Sequence, residues 1–168
     1  MTCVIVNDAS CLIDLRKGGL LGVLGALPYR LVVPLPVRES ELLKFTEQDW
    51  LTLDSTGLKT YDLTSTEVGE AMAVKARYST LSANDCFCFV TARSQRGILL
   101  TGDALLRRVA SQSGLRVHGV LWVIDQLRAV EACSTAHLIQ ALEAWQSDAA
   151  VFLPAEEIEN RLRNLYAL

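Results

Sequence analysis

Five short runs set the fold class of this chain: "VIVND" (4–8), "YRLVVP" (29–34), "GLKTYDL" (57–63), "GILLT" (97–101) and "LRVHG" (115–119). Each is too short for a stable helix, and most are rich in Val, Ile, Leu or Thr. They read as strands. The stretches between them carry helical spacing and helix-start signals. Ser10 is placed to cap a helix through "LIDLRKGGLLGVLGAL", with a break at Gly18-Gly19. Pro36 suits the first turn of a helix over "PVRESELLKF", and "TEQDWLTLD" forms a shorter one. Thr64 and Glu67 make a capping box for a helix to about Tyr78, and Ser82 caps the next with Asp85 in its first turn. "DALLRRVASQS" follows the fourth strand and stops at Gly114. Three helices, "VLWVIDQLRAVEA", "STAHLIQALEAWQ" and "PAEEIENRLRNLYA", close the chain from about residue 119.

Strands alternating with helices predict a three-layer α/β sandwich with a mainly parallel central sheet of four to five strands. In such sheets ligands gather beyond the carboxyl ends of the strands, where the strand order reverses. Asp8 closes the first strand and Asp103 lies just past the fourth. If those strands are neighbours at the switch point, the two carboxylates share a crevice. Asp85 joins them from the helix that leads into the fourth strand. Each of these acids also has an ordinary use at a helix start, where a carboxylate caps backbone N–H groups and favours the dipole. A fourth acid is expected from the helix after the second strand, which offers Glu39 and Glu41. Val37 and Glu41 are four apart on one helix face, so if Val37 packs inward Glu41 leans toward the sheet. Glu41 is the choice on that ground, with Glu39 solvated.

The 168 residues are 51% hydrophobic and 21% charged, which fits one globular domain over 1–168. Charge or glycine interrupts every apolar stretch before it could cross a membrane. The start "MTCVIVNDAS" carries no basic leader, so a cytoplasmic location is expected. Five cysteines scattered through apolar segments read as reduced core thiols. Net charge is −3, unevenly spread: Arg93 to His118 holds five arginines against the single acid Asp103, while Asp125 to Arg163 holds seven acids against three arginines. The basic stretch offers a place for phosphates, or else solvated helix faces.

Other nucleotide and phosphate chemistries fit poorly. A dehalogenase-type phosphotransferase needs D-x-D after the first strand, where this chain has Asp8-Ala9-Ser10. A response-regulator receiver needs a late lysine, and none follows Lys75. A dinucleotide or P-loop site needs a glycine-rich turn that "NDASC" lacks.

"VIVNDASCLIDL", "VVPLPVRESELL", "LSANDCFCFVTAR" and "ILLTGDALLRRVA" resemble the four acidic motifs of the PIN-domain nucleases, in that family's order, over about residues 3 to 120. The D-x-S of Asp8 and Ser10, the S-x-x-D of Ser82 and Asp85 and the T-G-D of Thr101 to Asp103 carry the resemblance jointly. It departs at the second motif. The family's spacing from Val37 lands on Ser40, so Glu41 requires a shift of one residue.

The resemblance implies a divalent-metal-dependent ribonuclease in which Asp8, Glu41, Asp85 and Asp103 hold Mg²⁺ or Mn²⁺. Ser10 and Thr101 would stand behind these acids or touch phosphate, and Arg107 and Arg108 would bind RNA. It also implies the toxin of a toxin–antitoxin pair, with a small antitoxin protein and a homodimer as expected partners. Oxygen-only donors suit these hard cations, and carboxylates crowded together without one would repel each other. The rival expectation is a PIN-like fold kept as a catalytically silent protein-binding or regulatory module.

Overall fold

The computed structural model describes residues 2–168. All five expected strands form: β1 (Val4–Asn7), β2 (Arg30–Pro34), β3 (Lys59–Tyr61), β4 (Ile98–Leu100) and β5 (Arg116–His118). They make one sheet in the order β3-β2-β1-β4-β5, and every pairing is parallel. The chain lays β2 and β3 to one side of β1, then returns to place β4 and β5 on the other. The switch point therefore falls between β1 and β4. Asn7 pairs with Leu100, and Leu100 with His118, so Asp8, Thr101 and Gly119 leave the sheet side by side.

The helices are α1 (Ala9–Lys17), α2 (Leu35–Ser40), α3 (Glu47–Ser55), α4 (Ser65–Arg77), α5 (Ala83–Ser94), α6 (Ala104–Gln112), α7 (Val120–Ala129), α8 (Thr135–Ser147) and α9 (Ala155–Tyr166), with a 3-10 segment over Leu21–Ala26. Helix α5 packs on β1, β2 and β4 together with α2, α4 and α6, while α1 packs with α7, α8 and the 3-10 segment. These helices flank the sheet to give the expected α/β architecture. All three strands with VIVN-like composition (β1, β2, β4) are buried on both faces, as a covered parallel sheet requires. No helix among the described residues is long and apolar enough to cross a membrane.

Two close approaches fix how helices meet strands. A Cβ at Gly97 would lie 2.6 Å from the Val4 carbonyl oxygen, so only glycine lets the chain pass from α5 into β4 against β1. Gly18 ends α1 beneath the Trp145 ring, where a Cβ would stand 3.1 Å from the indole, and Trp145 Nε1 donates to the Asp14 carbonyl at 2.6 Å. The expected break at Gly18-Gly19 is real, Gly19 taking φ +67°.

Two boundaries differ from the sequence reading. Helix α1 begins at Ala9, so Asp8 and not Ser10 occupies the N-cap position, and its side chain makes no capping bond. The carboxylate is engaged elsewhere. The helix expected over residues 36–45 ends at Ser40. Val37 and Leu42 are both almost wholly buried, yet residues five apart on a helix face about 140° from each other. Burying both, and then Phe45, requires the chain to leave the helix. Ser40 Oγ donates back to the Pro36 carbonyl at 2.6 Å as the helix ends. Elsewhere the start signals hold: Thr64 with Glu67 and Ser82 with Asp85 form reciprocal capping boxes, as does Thr46 with Asp49.

Candidate active site

Asp8 is the centre of the constellation. Its backbone N–H donates to the Leu100 carbonyl at 3.0 Å, and the Thr101 N–H donates to His118 at 3.0 Å, extending the β1, β4 and β5 edge by one residue. Asn7, one position earlier, is buried and donates its side-chain amide to the Val32 and Ile5 carbonyls at 3.1 and 3.3 Å. It ties the tip of β1 to β2. Sequence reasoning passed over it, because an Asn that closes an apolar strand carries no local sign of a partner on another strand.

The Asp8 side chain is only 4% exposed. Thr101 Oγ1 donates to its Oδ2 at 2.8 Å, and Ser10 Oγ donates to the same oxygen at 3.1 Å. Burial pushes the Asp8 carboxyl from its ordinary 3.8 up to about 6; the Thr101 bond opposes this, the nearby Asp85 and Glu41 charges add to it, and Ser10 opposes it weakly. Holding this group ionised at neutral pH costs about 3 kcal/mol, a load that a cation would relieve.

Asp85 reaches the site from the first turn of α5. Its Oδ2 accepts from the Ser82 N–H at 2.8 Å, while its own N–H donates to Ser82 Oγ at 3.0 Å. Glu41 follows the end of α2, outside the helix on which the sequence reading placed it. What holds it is Asn84, whose amide donates to Glu41 Oε1 at 2.6 Å and to Ser40 Oγ at 2.8 Å. Asn84 thus links the second and third acidic segments. Its position beside Asp85 was the one available signal. Glu39 is exposed and lies apart from these contacts.

Asp103 has a different role in the geometry. It caps α6, its Oδ1 accepting from the Leu106 N–H at 2.7 Å, and its N–H donates to Thr101 Oγ1 at 3.1 Å. Asp103 is not among the charges that dominate at Asp8. Thr101 is the joint between the two acids, accepting from one and donating to the other.

The result is an open crescent of carboxylates. Among the described residues, no three His, Cys, Asp or Glu side chains come together as a group that could hold a metal ion. The donor set suits a hard cation that keeps most of its own waters and needs one or two direct carboxylates. Both side-chain hydrogen bonds to the Asp8 carboxylate go to Oδ2.

The basic stretch does not form one patch. Arg93 pairs with Glu70 at 2.8 Å on α4, and Arg116 opens β5 at the amino edge of the sheet beside Cys3. Arg107 and Arg108 alone of its arginines stand on α6, directly after Asp103. Arg107 Nη1 approaches the Thr101 carbonyl at 3.5 Å. The five cysteines are free thiols, three of them buried.

A family model described as a PIN domain matches residues 4–166, nearly the whole chain. The chain belongs to the PIN-domain family. The match takes in the closing helices α7 to α9 as well as the acidic motifs, and it carries the nuclease-type fold with it. A search of curated proteins found no match.

Proposed function

We propose that this PIN-domain protein is a divalent-metal-dependent ribonuclease, working as one domain, with Asp8, Glu41, Asp85 and Asp103 as its acidic machinery. The observation that carries the reading is the buried Asp8 carboxylate, raised to about 6 and flanked by Asp85 and Glu41 at the switch point of the sheet. A carboxylate kept there at such cost, with one oxygen pinned by two hydroxyls, is built to face a cation. Bound Mg²⁺ or Mn²⁺ would activate water and neutralise charge developing on the phosphate.

The protein's own groups do the rest. Asp8 and Asp85 would hold the ion, with Asp103 from the neighbouring segment doing so directly or through water. Glu41, fixed by Asn84, would hold the ion or orient the attacking water and take its proton. Ser10 and Thr101 keep Asp8 in register, and Arg107 and Arg108 hold the RNA. A role as the toxin of a toxin–antitoxin pair, in a homodimer restrained by a small antitoxin, is part of this proposal and rests on the resemblance to the PIN-domain nucleases. A catalytically silent binding module is the second reading. It is favoured by Asp85 and Asp103 each serving a helix start.

Purified protein with Mg²⁺ or Mn²⁺ should cut single-stranded or structured RNA, and EDTA should stop it. Loss of cutting in Asp8→Asn with a native circular dichroism spectrum supports the nuclease. Intact wild type that binds Mn²⁺ and leaves both RNA and DNA uncut establishes the silent module.

A further inference from the structure

Past the carboxyl end of β5 lies a cavity of about 350 Å³, lined by Arg107, His118, Trp122, Leu153 and Glu157 among others. It opens where β5 ends and α7 begins, two strands over from Asp8. Its size falls at the small end of small-molecule sites. His118 and Trp122 lie ring on ring in its wall, centroids 4.3 Å apart and 8° from parallel, and Tyr29 backs the indole at 5.6 Å. Both rings are half-buried. Of the two arginines in the lining, Arg161 is spent on Asp125 and Glu157, at 2.7 Å each. Among the described residues no carboxylate pairs with Arg107. Its guanidinium lies over Gly119, where a Cβ would come within 3.1 Å of Nη1, and it touches the Thr101 carbonyl whose own hydroxyl holds Asp8.

We infer that this cavity is a nucleobase subsite, taking the base of a nucleotide next to the bond that is cut. The inference rests on the nuclease reading above for its substrate. Unpaired bases are recognised by stacking on His, Trp or Arg planes and by hydrogen bonds to their edges. The His118–Trp122 wall supplies the plane. Arg107 supplies donors for the O6 and N7 acceptors of guanine, and the Glu157 carboxylate is an acceptor on the cavity's lining. Burial, with Arg107 and Arg116 nearby, lowers the His118 pKa, so the ring is neutral and apolar enough to stack at pH 7.

Two measurements test this. In EDTA, guanosine 5′-monophosphate and ribose 5-phosphate are titrated by calorimetry; they share a phosphate and differ by the base. The nucleotide should bind about tenfold tighter. His118→Ala, Trp122→Leu and Arg107→Ala should each cut that preference at least threefold, in variants whose melting shows them folded. Equal binding of the two ligands by wild type overturns the subsite, as does a preference that all three folded variants retain. With Mn²⁺, sequencing of fragment ends should show guanine enriched at one fixed position beside the cut, and flattened in His118→Ala. Cutting with no enriched base at any position overturns the substrate role. If no RNA is cut at all, the nuclease reading falls and the metal-free titration still decides the cavity.

Discussion

Thr101 Oγ1 donates to Asp8 Oδ2 at 2.8 Å, joining residues 93 apart in the chain across the tips of two parallel strands. The bond is possible because β1 and β4 are neighbours and because Asp8 is not capping its own helix. It sets the orientation of the carboxylate and opposes the rise in its pKa.

Thr101→Val keeps the shape and removes the donor. The buried carboxylate then loses a hydrogen bond worth on the order of 2 kcal/mol when ionised, and less when protonated. In EDTA the variant should lose more stability at pH 8 than at pH 5, read by urea denaturation. Thr101→Ser should recover part of the loss. Equal loss at both pH values would show that Thr101 does not act through the Asp8 charge.

The four acids separate by what else each one holds. Asp8→Asn and Asp85→Asn should lower the rate constant for RNA hydrolysis by at least a hundredfold, and Glu39→Gln should leave it within twofold. Asp103→Asn is the sharpest case, because Asn caps a helix as well as Asp does. It should leave melting unchanged within a degree or two and still cost activity through charge alone. Unchanged cleavage in Asp103→Asn would reduce that residue to a cap.

Asn84 acts through Glu41. Asn84→Ala should reduce cleavage by about tenfold and Glu41→Gln by more, while the double variant should be no worse than Glu41→Gln. Multiplying losses in the double variant would mean that Asn84 does not work by positioning Glu41.

How much of this was legible in the sequence follows from what each residue's signal is made of. Strand count, parallel topology and the meeting of Asp8 with the β4 tip follow from local periodicity and the switch-point rule. The Ser82–Asp85 and Thr64–Glu67 boxes were equally plain, since a cap is a local pattern. The end of α2 was not. It is decided by Leu42 and Phe45 reaching the core, a tertiary demand that overrides helical spacing. Asn7 and Asn84 were missed for a related reason. Their partners, Val32 at 25 residues and Glu41 at 43, exist only after folding. In sequence the Arg93–Arg116 stretch offered a phosphate site or solvated faces alike; folding pairs Arg93 with Glu70, puts Arg116 at the start of β5 and sets Arg107 and Arg108 on α6 after Asp103.

Salt dependence sorts those arginines. If Arg108 contacts a phosphate, Arg108→Ala should reduce the log–log slope of RNA binding against salt by roughly 0.7 on single strands. Arg93→Ala, whose partner Glu70 lies away from the site, should leave the slope unchanged. Binding is measured by anisotropy in Ca²⁺ to avoid turnover. A slope that responds to Arg93 and not to Arg108 would move the RNA path to the α4–α5 side.

The carboxyl cluster also makes stability depend on pH in a sense opposite to ordinary paired acids. Asp8 has a folded pKa of about 6 against an unfolded 3.8, so the folded state binds more protons between those values. Its contribution is fully present below about pH 4 and is lost as pH rises through about 6, a change of about 3 kcal/mol. Asp14, also raised to about 6 by burial, with Lys17 opposing and Asp148 adding, acts in the same direction. Its share is smaller because it is half-exposed and solvent screens it. In EDTA, Asp8→Asn should therefore be more stable than wild type at pH 8 and close to it at pH 4, and Asp14→Asn should flatten the remaining slope. If Mn²⁺ binds the carboxylates around Asp8, it should replace the missing protons there and not at Asp14. At 100 times its dissociation constant it should add about 2.7 kcal/mol at pH 8 to wild type and to Asp14→Asn, and little to Asp8→Asn. If saturating Mn²⁺ stabilises Asp8→Asn as much as wild type, the ion binds elsewhere and the crescent around Asp8 is not its site.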